Sequence, residues 1–233
     1  MDSKKIIGVL GGMGPLATAD FFTKLVLLTK ADSDSGHPRV IIDNNPQIPD
    51  RTAAILGIGP SPVKELCDGV KNLAAMGAGV IAVPCNTAHY YYDEMANAAD
   101  VPVLSILDEA VSAVKRLGKK RAALLATAGT YQSGIYQRAF EKGNVELIMP
   151  CKEDQEFFYK LAYKVKSGDR NYDKADLEKR LETLRCMGAE CFVLGCTEIP
   201  VAFAHMGIKN DIIDTSKELA RAALFAAMYE VNE

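Results

Sequence analysis

One stretch of this 233-residue chain occurs twice. The first copy runs from Leu73 to Thr87 and the second from Leu184 to Glu198; Leu73/Leu184, Met76/Met187, Gly77/Gly188, Ala78/Ala189 and Cys85/Cys196 are each 111 residues apart. Both copies read as a helix end, a Gly turn, a buried strand and a thiol at the strand's C-terminal tip. A looser echo sets Gly14 and Gly129, and Thr18 and Ser133, 115 residues apart. Such self-similarity predicts two similar lobes. Strands at 6–10, 39–43, 80–83, 122–126, 145–148, 191–194 and 211–214 alternate with helical stretches. That alternation predicts an α/β fold of two pseudosymmetric lobes, each a parallel sheet flanked by helices with right-handed crossovers. The division expected is 1–100 with 211–233, closed by the last helix, against 101–210. A duplicated unit facing itself would set its two thiols across one cleft. Two opposed acid–base groups are what a stereoinverting proton transfer needs.

Composition narrows the function. A net charge of −3, with no block of like charges, gives no drive toward nucleic acid or anionic lipid. No segment approaches the ~20 apolar residues of a membrane span. Lys4-Lys5 followed by an apolar stretch and Ala17-Thr18-Ala19 imitates a signal peptide, but three glycines and a proline between Gly11 and Pro15 suit a loop better. Six cysteines without a CxxC make no disulfide framework, and the five-residue spacing of Cys186, Cys191 and Cys196 suits no metal site. Reduced thiols in the cytoplasm are the expectation.

In open parallel sheets, ligands bind beyond the carboxyl ends of the strands. The polar clusters fall there: Gly11–Gly14, Asn44–Arg51, Cys85–Thr87, Thr127–Thr130 and Cys196–Glu198. Each paired thiol follows a strand and is read as opening a helix, whose N-terminal partial charge would lower its pKa. One thiolate could remove an α-proton while the opposite thiol returns one to the other face. Donors aimed at the carboxylate would stabilise the carbanion, and Asn86, Thr87 and Thr197 are the obvious ones. Taken one at a time, these residues have plainer readings. A single cysteine is commonly a buried, inert residue. Arg51 reads as a solvated charge that could also fork a carboxylate, Lys166 as a cation suited to a helix C-terminus, and His89 as a satisfied helix histidine. The run Gly12-Met-Gly14-Pro-Leu-Ala17 after a strand, with Asp43 ending the next, also outlines a dinucleotide fingerprint and hence a nicotinamide enzyme. That reading leaves the matched thiols unexplained.

Gly11-Gly-Met-Gly-Pro-Leu-Ala-Thr18, Pro46-Gln-Ile-Pro-Asp-Arg51, Pro84-Cys-Asn-Thr-Ala-His89 and Gly195-Cys-Thr-Glu198 together resemble the aspartate/glutamate racemase family, its aspartate racemase branch in particular. The resemblance spans the chain from Ile6 to the final helix. It implies a two-lobed fold, usually a homodimer, and cofactor-independent racemisation of a small amino acid. Cys85 and Cys196 become the paired acid–bases. Met13, Asn86, Thr87, Thr127, Thr130 and Thr197 would surround the α-carboxylate and amino group, with Arg51 and Lys166 on the side-chain carboxylate. Glu198, counted with the substrate-binding residues, stands where the glutamate racemase branch has a His after Cys-Thr. This departure argues against a dedicated glutamate racemase and leaves aspartate first, with glutamate or a broader range behind it. Two alternatives stay open: a related cofactor-free isomerase or decarboxylase of another carboxylate, and a non-catalytic amino acid-binding protein.

Overall fold

The computed structural model describes residues 4–232. Contacts divide the chain into two compact units, one ending at Ile106 and resuming at Ser216, the other covering Leu107–Thr215.

The first unit contains β1 (Ile6–Gly11), α1 (Pro15–Leu28), β2 (Val40–Asn44), α2 (Arg51–Ile55), α3 (Val63–Ala75), β3 (Ala78–Ala82) and α4 (Tyr92–Ala96). α5 (Ile106–Arg116) leads out of it. The second unit holds β4 (Arg121–Ala126), α6 (Ala128–Ser133), α7 (Ile135–Lys142), β5 (Glu146–Ile148), α8 (Lys152–Lys166), α9 (Lys174–Cys186), β6 (Cys191–Gly195), α10 (Ile199–His205) and β7 (Ile212–Asp214). α11 (Thr215–Ala226) carries the chain back into the first unit. There Lys5 N–H donates to Ala227 O and Asn232 N–H to Leu28 O, and Thr29 pairs with Val231.

Both sheets are parallel, in the orders β2-β1-β3 and β5-β4-β6-β7. The central strands are near-continuous apolar runs because helices cover both faces of a parallel sheet. β1 and β4 are buried along almost their whole length, whereas the edge strand β2 is half-buried to exposed. Leu10, Leu66, Leu73 and Ile81 anchor the first core; Phe158, Leu184, Phe192 and Phe203 anchor the second.

The repeat survives in detail. β4 lies 115 residues after β1 at both ends, and α9 lies 111 after α3 at both ends. The pairings of Ile7 with Val80, Gly8 with Ile81 and Val9 with Ala82 recur as Ala122 with Cys191, Ala123 with Phe192 and Leu124 with Val193. Even the outer strand has its echo: Ile81 bridges Val103 in parallel, as Phe192 pairs with Ile212. The turns agree too. Gly77 and Gly188 have φ of +96° and +98°, a region closed to residues with a Cβ, and each converts a helix end into a buried strand.

Two local expectations are corrected. The Pro-rich segment after β2 ends in the short helix α2, because the Asp50 carboxylate accepts from Ala53 N–H and caps it. The helix expected directly after Cys85 is instead a 3-10 turn over Thr87–Tyr91 followed by the five-residue α4. Its run of Thr, His and three Tyr has low helix propensity. The helix expected after Cys196 forms as α10, beginning three residues on, with Pro200 in its first turn.

Candidate active site

In the first unit the candidate residues cluster at the C-terminal ends of β1, β2 and β3. Met13 lies in the β1–α1 loop, is buried, and shares a core cluster with Cys85. Arg51 is the first residue of α2. Its Nη1 donates to Ile48 O at 3.1 Å and Pro49 O at 3.0 Å, and its Nη2 to Met13 O at 3.5 Å. The guanidinium therefore straps the β2 loop to the β1 loop through carbonyls. Its positive charge is not met by a carboxylate among the described residues, unlike the ordinary surface charge the sequence suggested. Cys85 and Asn86 are buried, and Thr87 opens the 3-10 turn. Cys85 N–H donates to Val83 O at 2.7 Å, which bends the chain at the strand tip.

His89 is the satisfied histidine of the plainer reading. Nδ1 lies 2.9 Å from Cys85 O, and Nε2 accepts from Ile106 N–H at 3.1 Å. With Nε2 accepting, Nδ1 carries the proton and donates to Cys85 O. The ring fixes the backbone of Cys85 and caps the start of α5.

The glycine loop has an internal explanation. Gly12 has φ +90°, and a Cβ there would lie 2.2 Å from Asn45 C. The close approach a dinucleotide phosphate would require is taken by the protein's own Asn45 backbone. Gly12 N–H is held by Thr18 Oγ1 at 2.9 Å. The loop does not fit the nicotinamide reading.

In the second unit Thr127 precedes the first residue of α6 without a side-chain capping bond, and its Oγ1 is 3.4 Å from that of Thr130; both are buried. Cys196, Thr197 and Glu198 are buried after β6. Cys196 Sγ donates to Glu198 Oε2 at 3.0 Å, and Thr197 Oγ1 donates to the same oxygen at 3.3 Å. Lys166, the last residue of α8, places Nζ 3.9 Å from Glu198 Oε1 and 5.0 Å from the centre of the Tyr163 ring. Lys166 is thus more than a cation at a helix end.

This arrangement corrects the expectation of a thiol acidified by a helix N-terminus. α10 begins three residues beyond Cys196. Burial, and then the neighbouring Glu198 carboxylate, push the Cys196 thiol well above its ordinary range, with Lys166 pulling the other way. Glu198 is also engaged with Cys196 rather than standing free for a substrate.

Tyr131 and Tyr136 were not singled out from the sequence. Tyr131 Oη accepts from Ala126 N–H at 2.8 Å and donates to Leu124 O at 3.1 Å, pinning the end of β4. Burial raises both phenols, and the charge of Cys196 adds to each. A Tyr inside an apolar pattern carries no separate mark. No group of three or more His, Cys, Asp or Glu among the described residues is placed to hold a metal ion. No helix among them is long and apolar enough to cross a membrane.

Comparison with known proteins places this architecture. The family model described as Asp/Glu/Hydantoin racemase matches residues 10–223. The broad specificity amino-acid racemase RacX of Bacillus subtilis is 31% identical over 226 residues, covering 94% of this chain and 96% of RacX. A glutamate racemase of Corynebacterium kroppenstedtii is 29% identical over 63% of this chain and 52% of its own length. Among solved structures, the Picrophilus torridus aspartate racemase superposes with a TM-score of 0.87 at 33% identity, covering 98% of this chain and 96% of that one. The glutamate racemase of Francisella tularensis shares the fold, at a TM-score of 0.68 over 97% of this chain and 82% of that one, with 20% identity. The chain belongs to the Asp/Glu/hydantoin racemase family and is an isomerase of the amino acid racemase type that works without pyridoxal phosphate.

Proposed function

We propose that the protein interconverts the enantiomers of a free acidic amino acid, aspartate first, by passing the α-proton between Cys85 and Cys196. The observation that carries this reading is the repeat: two units of matching register, each ending its third strand in a buried thiol followed by hydroxyl or amide donors. In this mechanism one sulfur takes the α-proton and the other protonates the opposite face. Asn86, Thr87, Thr127, Thr130 and Thr197 hold the α-carboxylate and amino group, against the packed Met13. Donors aimed at the carboxylate stabilise the carbanion as it forms. Arg51, charged and met only by carbonyls, takes the side-chain carboxylate, with Lys166 as the second cation.

The identity to the Picrophilus aspartate racemase favours aspartate. The identity to RacX favours a broader range, so the substrate assay covers both enantiomers of aspartate, glutamate and neutral amino acids. Chiral chromatography of each incubation names the substrate. Cys85→Ala and Cys196→Ala should each abolish full racemisation, and normal turnover by either variant would sink the two-thiol mechanism.

A homodimer belongs to the same reading. The exposed side of α1 carries Pro15, Leu16, Ala19, Phe22, Thr23, Val26 and Leu27 without a charge, the Asp20–Lys24 ion pair being half-buried, and an exposed apolar patch of this kind marks a contact surface. Sedimentation should give twice the 25.2 kDa chain mass, and Leu27→Asp should shift it toward one chain. Six free thiols, Cys151 and Cys186 exposed among them, support a reducing, cytoplasmic setting.

A further inference from the structure

The two oxygens of Glu198 have different surroundings. Oε2 accepts from the Cys196 thiol at 3.0 Å and from the Thr197 hydroxyl at 3.3 Å. Oε1 is buried, accepts no hydrogen bond, and has Lys166 Nζ 3.9 Å away. In this contact the thiol is the donor, so its S–H points at Oε2. A buried carboxylate is costly to keep. Beside a thiol that must become an anion it also works against that anion, for as long as it stays charged. Both difficulties disappear at one moment, when the carboxylate takes the thiol's proton.

The repeat carries a carboxylate at this position in one copy and not in the other. Glu198 follows Cys196 by two residues, and the residue two beyond Cys85 is Thr87. The first unit has a hydroxyl where the second has a proton acceptor.

We propose that Glu198 is a positioning residue that acts through Cys196: it aims the thiol and receives its proton in the direction of turnover in which Cys196 must be the base. The inference rests on the racemase reading above. In the step, the Cys196 S–H bond breaks as O–H forms at Oε2, leaving a thiolate beside a neutral carboxyl. The thiolate then takes the α-proton, re-forming S–H and leaving the electron pair on the α-carbon. Cys85 protonates the opposite face and becomes the thiolate, and the proton on Glu198 returns to the Cys85 sulfur through water before the next turnover. Lys166 supplies the counter-charge while Glu198 is ionised. The phenols on which the Cys196 charge acts, Tyr131 and Tyr136, stay neutral because burial raises both.

The test uses single-thiol proteins in D₂O, after racemisation by the wild type has been checked. Cys85→Ala leaves Cys196 to exchange the α-proton on one face, and Cys196→Ala leaves Cys85 on the other. Adding Glu198→Gln should slow exchange by Cys196 by about 100-fold, in line with loss of a general acid–base partner. Its effect on exchange by Cys85 should be at least tenfold smaller. Equal losses on both faces would mean a structural role and overturn the proposal, as would no loss on the Cys196 face. A second readout needs no turnover: the pH dependence of Cys196 alkylation by iodoacetamide, followed at that residue by mass spectrometry. With the carboxylate replaced, the midpoint should fall by at least one pH unit, and an unmoved midpoint overturns the proposal. A wild type that neither racemises nor exchanges sinks the racemase reading, and alkylation then decides by itself whether Glu198 holds the thiol's proton.

Discussion

At the scale of single residues, the thiols of this protein differ by environment rather than by sequence. Cys191 lies within β6, and burial pushes its pKa from 9.0 up to about 11. Below pH 9 the folded and unfolded chains both keep this proton and the group contributes no pH dependence. As pH rises past 9 the unfolded chain releases the proton and the folded one retains it, so stability falls until the folded thiol titrates near 11. A shift of this size corresponds to about 2–3 kcal/mol. Urea midpoints measured from pH 8 to 11 should therefore fall, and Cys191→Ala should flatten part of the slope; Cys196, also raised, acts in the same direction. His89 makes a contrasting prediction. Because its ring nitrogens are spent on Cys85 O and Ile106 N–H, His89→Ala should lower kcat and stability without moving the pH–rate profile. A displaced profile would return His89 to the proton-transfer machinery. The thiols were legible because they repeat. The partnership of Cys196 with Glu198 was not, since a carboxylate two residues away can point to solvent as readily as to sulfur, and burial decides between them.

At the scale of elements, loops and helix pairs hold the site residues in place. The β1–α1 loop closes on the β2 loop through Gly12 and Asn45, and Arg51 adds its carbonyl bonds to the same junction. Gly12→Ala meets backbone 2.2 Å away and an unfavourable φ together, and thermal unfolding should show a loss of at least about 2 kcal/mol. In the second unit Arg180 of α9 pairs with the buried Asp154 and with Asp176, and its guanidinium lies 4.5 Å from the Phe157 ring centre. Arg180→Met leaves Asp154 without its cation and should cost about 3–5 kcal/mol. Converting Asp154 to Leu as well should recover much of that loss, and failure to recover would place the energy in packing. The main strands and long helices could be read from apolar runs and turn residues. The short helix α2 could not. It depends on the Asp50 cap within a Pro-rich segment.

At the scale of the whole molecule, a repeat visible in some fifteen residues of sequence extends to strand order, register and turn conformation in both units. Offsets of 111 and 115 residues hold for α3/α9 and β1/β4 although most of their side chains differ. Two things in this architecture remained illegible in one sequence: which lining residues partner each other, and the different equipment of the two thiols. Both depend on side-chain direction in the folded chain. The central claim is that two sulfurs share one proton transfer, and the most direct test is the early time course of L-aspartate with the wild-type protein in D₂O, without added cofactor. Each D-aspartate formed should carry deuterium at the α-carbon while the remaining L-aspartate is still unlabelled, because the proton leaves to one thiol and a deuteron arrives from the other. Deuterium appearing in the L-aspartate pool as fast as in the product would mean a single base serving both faces, and would contradict the account.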